Sequence, residues 1–449
     1  MGSSRRAGSL AGMSSDFSPP NAHLSLWGRS RVGISDYIAH LKLFNRNCWL
    51  YLLGSFLIGI NFQVFLVLLN LFLKEIGFLE SNIGIVGSSR AVGMTLMAIP
   101  AGMILSRLRL RPVLIVSSLL FAVFSFFIVS SRTIGLLVTF SILSGTAFSF
   151  YRIAAGPFFM RNSSSEERTY LFSFSFGTNL MAGIIGASAA GRMAAIIGER
   201  TGDMITGYQY TLYAGIAVSI LAAIPFALLR SREPSSEERR IDITWARIKQ
   251  RSGFYSKIFL CNFIIGAGAG LIIPFLNLYF RDRFNLQPDT IGLFYSLVHF
   301  SMLVGSLSGP VLAKRLGLVR TVVVTQLASI PFMGILSYTY LLPLAVVAFV
   351  MRGGLMNLGV PIVTNLGMEL ADKTEQGLVG ALLMVGWTSS WMVSTAVGGA
   401  LIERYGYTVT MNITIGLYLL STLVFYAFFR HAEARREDAP GWSVTREAF

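Results

Sequence analysis

Four arginines, Arg90, Arg152, Arg192 and Arg352, stand inside long apolar runs, and no carboxylate stands at mid-depth in any such run. An ionisable group in those surroundings is costly to keep and marks a functional site by default. A guanidinium is a fixed cation whose planar fork suits carboxylate or phosphate. Arg352, the deepest, together with Arg90 and Arg152, therefore reads as a binding site for an anionic ligand; Arg192 is near enough to the end of its run to snorkel. The competing reading for each is a structural pairing with carbonyls and Ser or Asn side chains between helices. His299 is the one mid-run group that titrates near neutral pH. That makes it the candidate for proton coupling, against the plainer role of a histidine hydrogen-bonded between two helices.

Uncharged polar groups add to this set. Asn61 and Gln63 follow Gly59 in the first run, Asn357 follows Arg352 in the tenth, and Trp387 and Trp391 are one helical turn apart in the eleventh, a spacing that builds an aromatic wall. Each also has a packing reading, because Asn and Gln commonly join membrane helices by hydrogen bonds. There is no metal-ligand cluster, no nucleophile beside a base and no phosphate loop. The stretch Gly266-Ala-Gly-Ala-Gly270 lacks the strand, loop and helix of a nucleotide site. The chain reads as a non-enzyme that uses no cofactor and no metal.

These residues must be positioned by membrane helices. The chain is 53% hydrophobic and 13% charged, with mean hydropathy +0.62, far from the roughly 25% charged residues of a soluble domain. Runs of about 20 apolar residues, each enough to span a bilayer, start near Trp49, Asn82, Pro112, Ile134, Tyr170, Gln209, Lys257, Thr290, Val319, Leu342, Gln376 and Thr410. The reading is an all-α integral membrane protein with twelve transmembrane helices. With both termini cytoplasmic, only Lys74, Arg132, Arg200, Arg281, Arg283 and Arg404 of the 37 Lys and Arg fall outside. The net charge of +15 thus follows the positive-inside pattern and reflects orientation and anionic lipid, with no nucleic-acid partner. Cys48 and Cys261 read as inert packing thiols.

The chain is also duplicated. Leu68 to Leu114 recurs as Phe275 to Val322, with Asn70 matching Asn277, Lys74 Arg281, Glu75 Asp282 and Gly84 Gly292. Two further loops match, each with a capping-box spacing, Ser164 with Glu167 and Asp372 with Glu375. Glu167 is as far from Gly191 as Glu375 is from Gly399. The expected organisation is a disordered tail and interfacial lead-in over 1–45, a six-helix bundle over 46–230, a cytoplasmic linker over 231–256 with Trp245 as an interfacial anchor, a second six-helix bundle over 257–430 and a cytoplasmic tail over 431–449.

Twelve spans, a linker after the sixth and a basic loop after the second together resemble the major facilitator superfamily (MFS). The family signature Gly-x-Leu-Ala-Asp-Arg-x-Gly-Arg-Arg is matched by Gly102, Ile104, Leu105, Arg107 and Arg111, with Ser106 in place of Asp and Arg109 in place of the second Gly. The second half keeps Leu312, Ala313, Arg315 and Gly317, with Lys314 at the Asp position. The drug antiporter signature of the fifth span survives only as Gly186, Ala187, Ala190 and Gly191, which argues against that subgroup. The resemblance implies two bundles that expose a central cavity to one side at a time. It implies a secondary transporter of a small organic solute, amphipathic or anionic, with export favoured, acting as a monomer in the plasma (cell inner) membrane. Its gates would be charged pairs at the span ends: Arg107 with Glu166 or Glu167 and Arg315 with Glu369 or Glu375 inside, and Lys74, Glu75, Arg281 and Asp282 outside. The lost signature Asp keeps two other readings open, a non-transporting sensor or assembly partner and a lipid flippase on the same fold.

Overall fold

The computed structural model describes residues 44–230, 249–371 and 376–430. The described residues from Asn45 onward form one compact unit, helical throughout, with no strand among them. In lipid a backbone must satisfy its own hydrogen bonds, and the helix does this within one segment. The helices are α1 (Arg46–Glu75), α2 (Glu80–Arg107), α3 (Leu110–Ser130), α4 (Ile134–Asn162), α5 (Ser165–Thr201), α6 (Met204–Ala227), α7 (Ser252–Phe284), α8 (Pro288–Leu316), α9 (Leu318–Tyr338) and α10 (Leu342–Glu369). A last helical run, Gln376–Phe429, is 54 residues long. Straight, it would extend about 80 Å, against a hydrocarbon thickness of about 30 Å. It turns at Gly406, whose φ of 78° and ψ of 177° interrupt the helix in a conformation that suits glycine alone. The run is therefore two spans, α11 over 376–405 and α12 over 407–429, and the described residues hold twelve spans.

Local chemistry sets the ends. Asn45 caps α1 by accepting from the Cys48 amide at 3.0 Å. Asp203 caps α6 by accepting from the amides of Ile205 and Thr206, both at 3.0 Å, and the hydroxyl and amide of Thr206 hold its carboxyl below the usual carboxylate range. The turn after α1 uses Gly77 at φ 97°, and the matching turn after α7 uses Asn285 at φ 51°; Asn is among the side chains that tolerate this left-handed region best. α7 begins at Ser252, earlier than the expected Lys257, so 252–256 belong to the helix and not to the linker. It is interrupted by a 3₁₀ turn, Ile273–Phe275. The tail 1–43, the linker 231–248 with Trp245, the pair Asp372 and Glu375, and 431–449 lie outside the described residues.

The residues that mark the duplication meet one another at one end of the unit. Gly84 of α2 lies against Gly399 of α11, and Gly292 of α8 lies against Gly191 of α5, so closely that a Cβ on any of the four would collide with backbone of the facing helix. Ser88 donates to the Met392 carbonyl. At the matching place in the other pair, Ser296 donates to the Ile184 carbonyl at 2.7 Å. Asn70 of α1 donates to the Pro274 carbonyl at 2.6 Å and Asn277 of α7 donates to the Val67 carbonyl at 2.8 Å. These contacts are duplicate copies of one another, related by the internal repeat.

Toward the other end, where Asn45 and Arg430 stand, the helices part. Gly102 lies on the same face of α2 as Gly84, five helical turns on, and Gly177 shares a face of α5 with Gly191. Neither has an atom within 4 Å of where a Cβ would stand. One end is closed and the other open. Gly399→Leu should hold the closed end apart. A cysteine placed at Ser88, which is only 8% exposed, would then react with a maleimide severalfold faster in purified protein than the same cysteine beside an unaltered Gly399; an unchanged rate would mean that this contact does not control access.

Candidate functional site

The four stripes that close one end continue past the contact into the cleft. On α5 the series Gly191, Ala187, Gly183 and Asn179 repeats every four residues. On α11 the series Gly399, Thr395, Trp391 and Trp387 does the same. α8 follows Gly292 and Ser296 with His299, and α2 follows Gly84 and Ser88 with Ala91 and Thr95. Residues three or four apart share a helix face, with a drift of about 40° at each four-residue step; Thr95, His299 and Trp391 therefore stay nearest the faces that meet, while Asn179 and Trp387, three steps along, are turned by about 120° from Gly191 and Gly399.

His299 is 8% exposed, and its ring lies against Gly183 with no room for a Cβ there. Its Nδ1 is 2.7 Å from the Tyr295 carbonyl oxygen. A carbonyl only accepts, so Nδ1 carries the proton and donates, and Nε2, beside α5, is the position that takes or gives up a second proton. The rings of Trp387 and Trp391 stand 5.8 Å apart at 35°. Trp387 is 39% exposed, while the Trp391 Nε1–H is buried and without a partner, as is the Thr95 hydroxyl. Asn179 is exposed, and its oxygen approaches Gly59 of α1.

The other sequence candidates are placed differently. Arg352, 4% exposed, points within its own half: Nη2 donates to the Tyr418 hydroxyl of α12 at 2.6 Å, and Nε is buried without a partner. Arg90 also stays within its half, ringed by Phe62, Phe65 and Phe121 at 5.4, 5.9 and 5.5 Å from the guanidinium carbon. Its Nε and Nη2 have no hydrogen-bond partner, and the aromatic faces supply attraction to the cation instead. Arg152 is exposed on α4. Arg192, exposed, stands 4.0 Å from Asp289 at the closed end. Asn61 is wholly buried against Gly215 of α6, with neither side-chain polar atom partnered. Gln63 packs beside Gly186 of α5, its oxygen buried and unpartnered. Asn357 donates to the Gly353 carbonyl of its own helix at 2.9 Å.

Among the charged span ends, Arg281 pairs with Glu75 across the two halves at the closed end. Lys74 pairs instead with Glu80 at 2.5 Å, and Asp282 accepts from the Tyr407 hydroxyl at 2.6 Å within its own half. At the open end Arg107 and Arg315 are exposed, and Glu369 accepts from Asn365 at 3.0 Å; the Glu167 side chain lies outside the described residues. The structure thus pairs Trp387 with Trp391 on α11 and seats His299 of α8 against Gly183 of α5. It also adds Asn179 and Thr95, which stand twelve residues before Gly191 and eleven residues after Gly84, spacings that carried no signal of their own in the sequence.

The Major Facilitator Superfamily model matches residues 51–251 and 258–448. The chain belongs to this superfamily. As such it is an integral membrane protein, and the family's transporters bind small solutes within the membrane. Among its relatives is Sugar efflux transporter A of Escherichia coli (strain K12), 26% identical over 195 residues, covering 42% of this chain and 49% of that one; the match spans about half the length of that relative. Among solved structures the fold resembles a bacterial homologue of the human lysosomal transporter Spinster in an inward-facing, unoccupied conformation, at TM-score 0.73 and 12% identity over 86% of this chain and 96% of that chain. It also resembles a mutant form of the nucleoside transporter NupG, at 0.71 and 15% over 86% and 100%, and a D-xylose-proton symporter, at 0.69 and 14% over 87% and 97%.

The buried arginine gives a direct test of its structural role. Tyr418→Phe removes the one hydroxyl that Arg352 Nη2 donates to and leaves a buried charged donor unpaired, which costs about 1–3 kcal/mol. A lowered thermal midpoint in detergent is expected, with binding of solute unaffected; a midpoint equal to that of the parent would place the Arg352 partner elsewhere.

Proposed function

We propose that the chain is a secondary transporter that works by alternating access and carries a small, uncharged, amphipathic solute through the cleft between its halves. The observation that carries this reading is the pair of duplicate helix contacts that close one end while the other end stands apart. A cleft shut at one end and open at the other is one of the two states that alternation requires. The solute position is assigned to the cleft bordered by Thr95, His299 and Trp391, with Asn179 and Trp387 at its flanks. A hydroxyl, an amide and two indoles offer directional hydrogen bonds and flat apolar faces, which suits a polyhydroxylated ring.

This narrows the alternatives left by the sequence. Of the three arginines that suggested an anionic solute, Arg352 and Arg90 are occupied within their own halves by Tyr418 and by three phenylalanines, while Arg152 is exposed on α4. The likeness to a sugar efflux transporter supports a neutral polyol and outward transport. The membrane is proposed to be the plasma (cell inner) membrane, with the open end, where Asn45 and Arg430 stand, facing the cytoplasm. Glu75 with Arg281 serves as the outer latch, and His299 takes up the coupling proton.

Flux in liposomes tests both parts. Sugars should be transported, organic anions should not compete with them, and Trp387→Ala or Asn179→Ala should lower the sugar flux by on the order of tenfold, the equivalent of about 1.4 kcal/mol of lost binding. Competition by anions together with silence of both variants would return the choice to the arginines. Absence of any flux, with one fixed pattern of cysteine accessibility, would favour the sensor or assembly reading. For the proton, a pH gradient should drive wild-type flux and leave His299→Ala flux unchanged; an undiminished pH response in that variant would remove His299 from the mechanism.

A further inference from the structure

We propose that a second site, outside the cleft, holds the phosphate of an anionic phospholipid: the basic pocket at the open end between α3, α4 and the residues after α6. Arg111, Arg161, Asn162 and Arg230 line it, with Leu110 and Phe158 among its apolar walls. Three arginines thus share one lining, in which no carboxylate stands among the described residues; the Asn162 amide is engaged within the first half, accepting from Asn47 Nδ2 and donating to the Phe158 carbonyl, both at 2.9 Å.

Each cation is held by structure around it. Arg161 is only 9% exposed. Its Nη1 and Nη2 donate to the carbonyls of Leu108 and Leu105 at 3.2 and 3.1 Å, so the last turn of α2 fixes a positive charge at the back of the pocket. Arg230 is positioned through its backbone: its amide donates to Asn47 Oδ1 at 3.0 Å, and Asn47 Nδ2 donates to its carbonyl at 3.1 Å. Arg111 stands in the first turn of α3. That helix begins at Leu110 with no side-chain cap and no acidic residue in its first turn. The amides at a helix start carry a partial positive charge that favours an anion, and this one adds to the three arginines.

Two features select a lipid over a free phosphate. The pocket is at the level where α3, α4 and α6 leave the membrane, and clusters of basic residues at that level attract anionic headgroups. Its walls are half apolar, as a headgroup with the first carbons of its chains requires. The second half does not repeat the site. Glu369 stands as far before Asp372 as Arg161 stands before Ser164, so the duplicated position carries a carboxylate where the first half has its buried guanidinium.

The test is lipid retention by the purified full-length protein, measured by native mass spectrometry in mixed micelles of phosphatidylglycerol and phosphatidylcholine, with thermal stability alongside. Wild type is expected to retain phosphatidylglycerol selectively and to gain thermal stability from it, whereas inorganic phosphate gives no gain. The double variant R111Q/R230Q changes only exposed side chains and should lose retention by about tenfold, while R320Q, an exposed arginine in the first turn of α9, should behave as wild type. Equal retention of the two lipids, full retention by the double variant, or an equal gain from inorganic phosphate alone would each overturn the proposal, the last by making this a soluble-anion site.

Discussion

Inside a bilayer, apolar surface gains little by leaving lipid for another helix, so two helical halves stay together only where backbones come close and polar groups find partners. The contacts of Gly84 with Gly399 and of Gly191 with Gly292 meet that requirement twice. Each glycine lets a neighbouring carbonyl approach, and each pair is flanked by a serine, Ser88 or Ser296, that donates across the gap. The other features follow from where these contacts stop. Because they are confined to one end, the faces of α2, α5, α8 and α11 run on into open space. The residues next in register, His299 and Trp391 among them, become the walls of a site.

The arginines illustrate a different division of labour. A cation inside a membrane protein needs either a ligand or an internal partner, and here Arg352 has the Tyr418 hydroxyl while Arg90 has three phenyl rings. Both bind helices of one half to each other. Among the described residues, the charged contacts between the halves stand at the rim, where Arg281 meets Glu75, Arg192 stands near Asp289 and Glu403 accepts from the Ser81 amide. An interface that must separate and re-form is better served by weak, uncharged contacts than by buried ion pairs, whose separation leaves charges stranded at a cost of several kcal/mol.

Much of the architecture was legible in the sequence because hydrophobic length and internal repetition are one-dimensional signals. Asn70, Asn277, Gly84 and Gly292 announced themselves as a repeat, and Gly191 with Gly399 extended it. What those residues do was not legible, because a match between two stretches does not say which faces meet. Depth was likewise readable and direction was not. Arg352 reads as deep in its span, but its partner Tyr418 lies in another span that offers several Thr, Ser and Tyr hydroxyls, and only packing decides which of them meets the arginine. The turn at Gly406 was concealed in the opposite way: apolar residues on both sides gave two spans, yet nothing in their pattern distinguished a sharp bend from a loop.

The 3₁₀ turn at Ile273–Phe275 separates the two copies mechanically. α1 runs without interruption from Arg46 to Glu75, while its counterpart α7 is broken at the very residues whose carbonyl receives Asn70. A proline there removes a rung from the helix ladder, and a helix missing a rung bends more readily than one with a full set. The same duplicated contact is therefore held between a stiff rod and a jointed one. Force applied at this contact will be taken up first as flexure of α7, which makes the second half the more compliant partner at the seam it shares with α1.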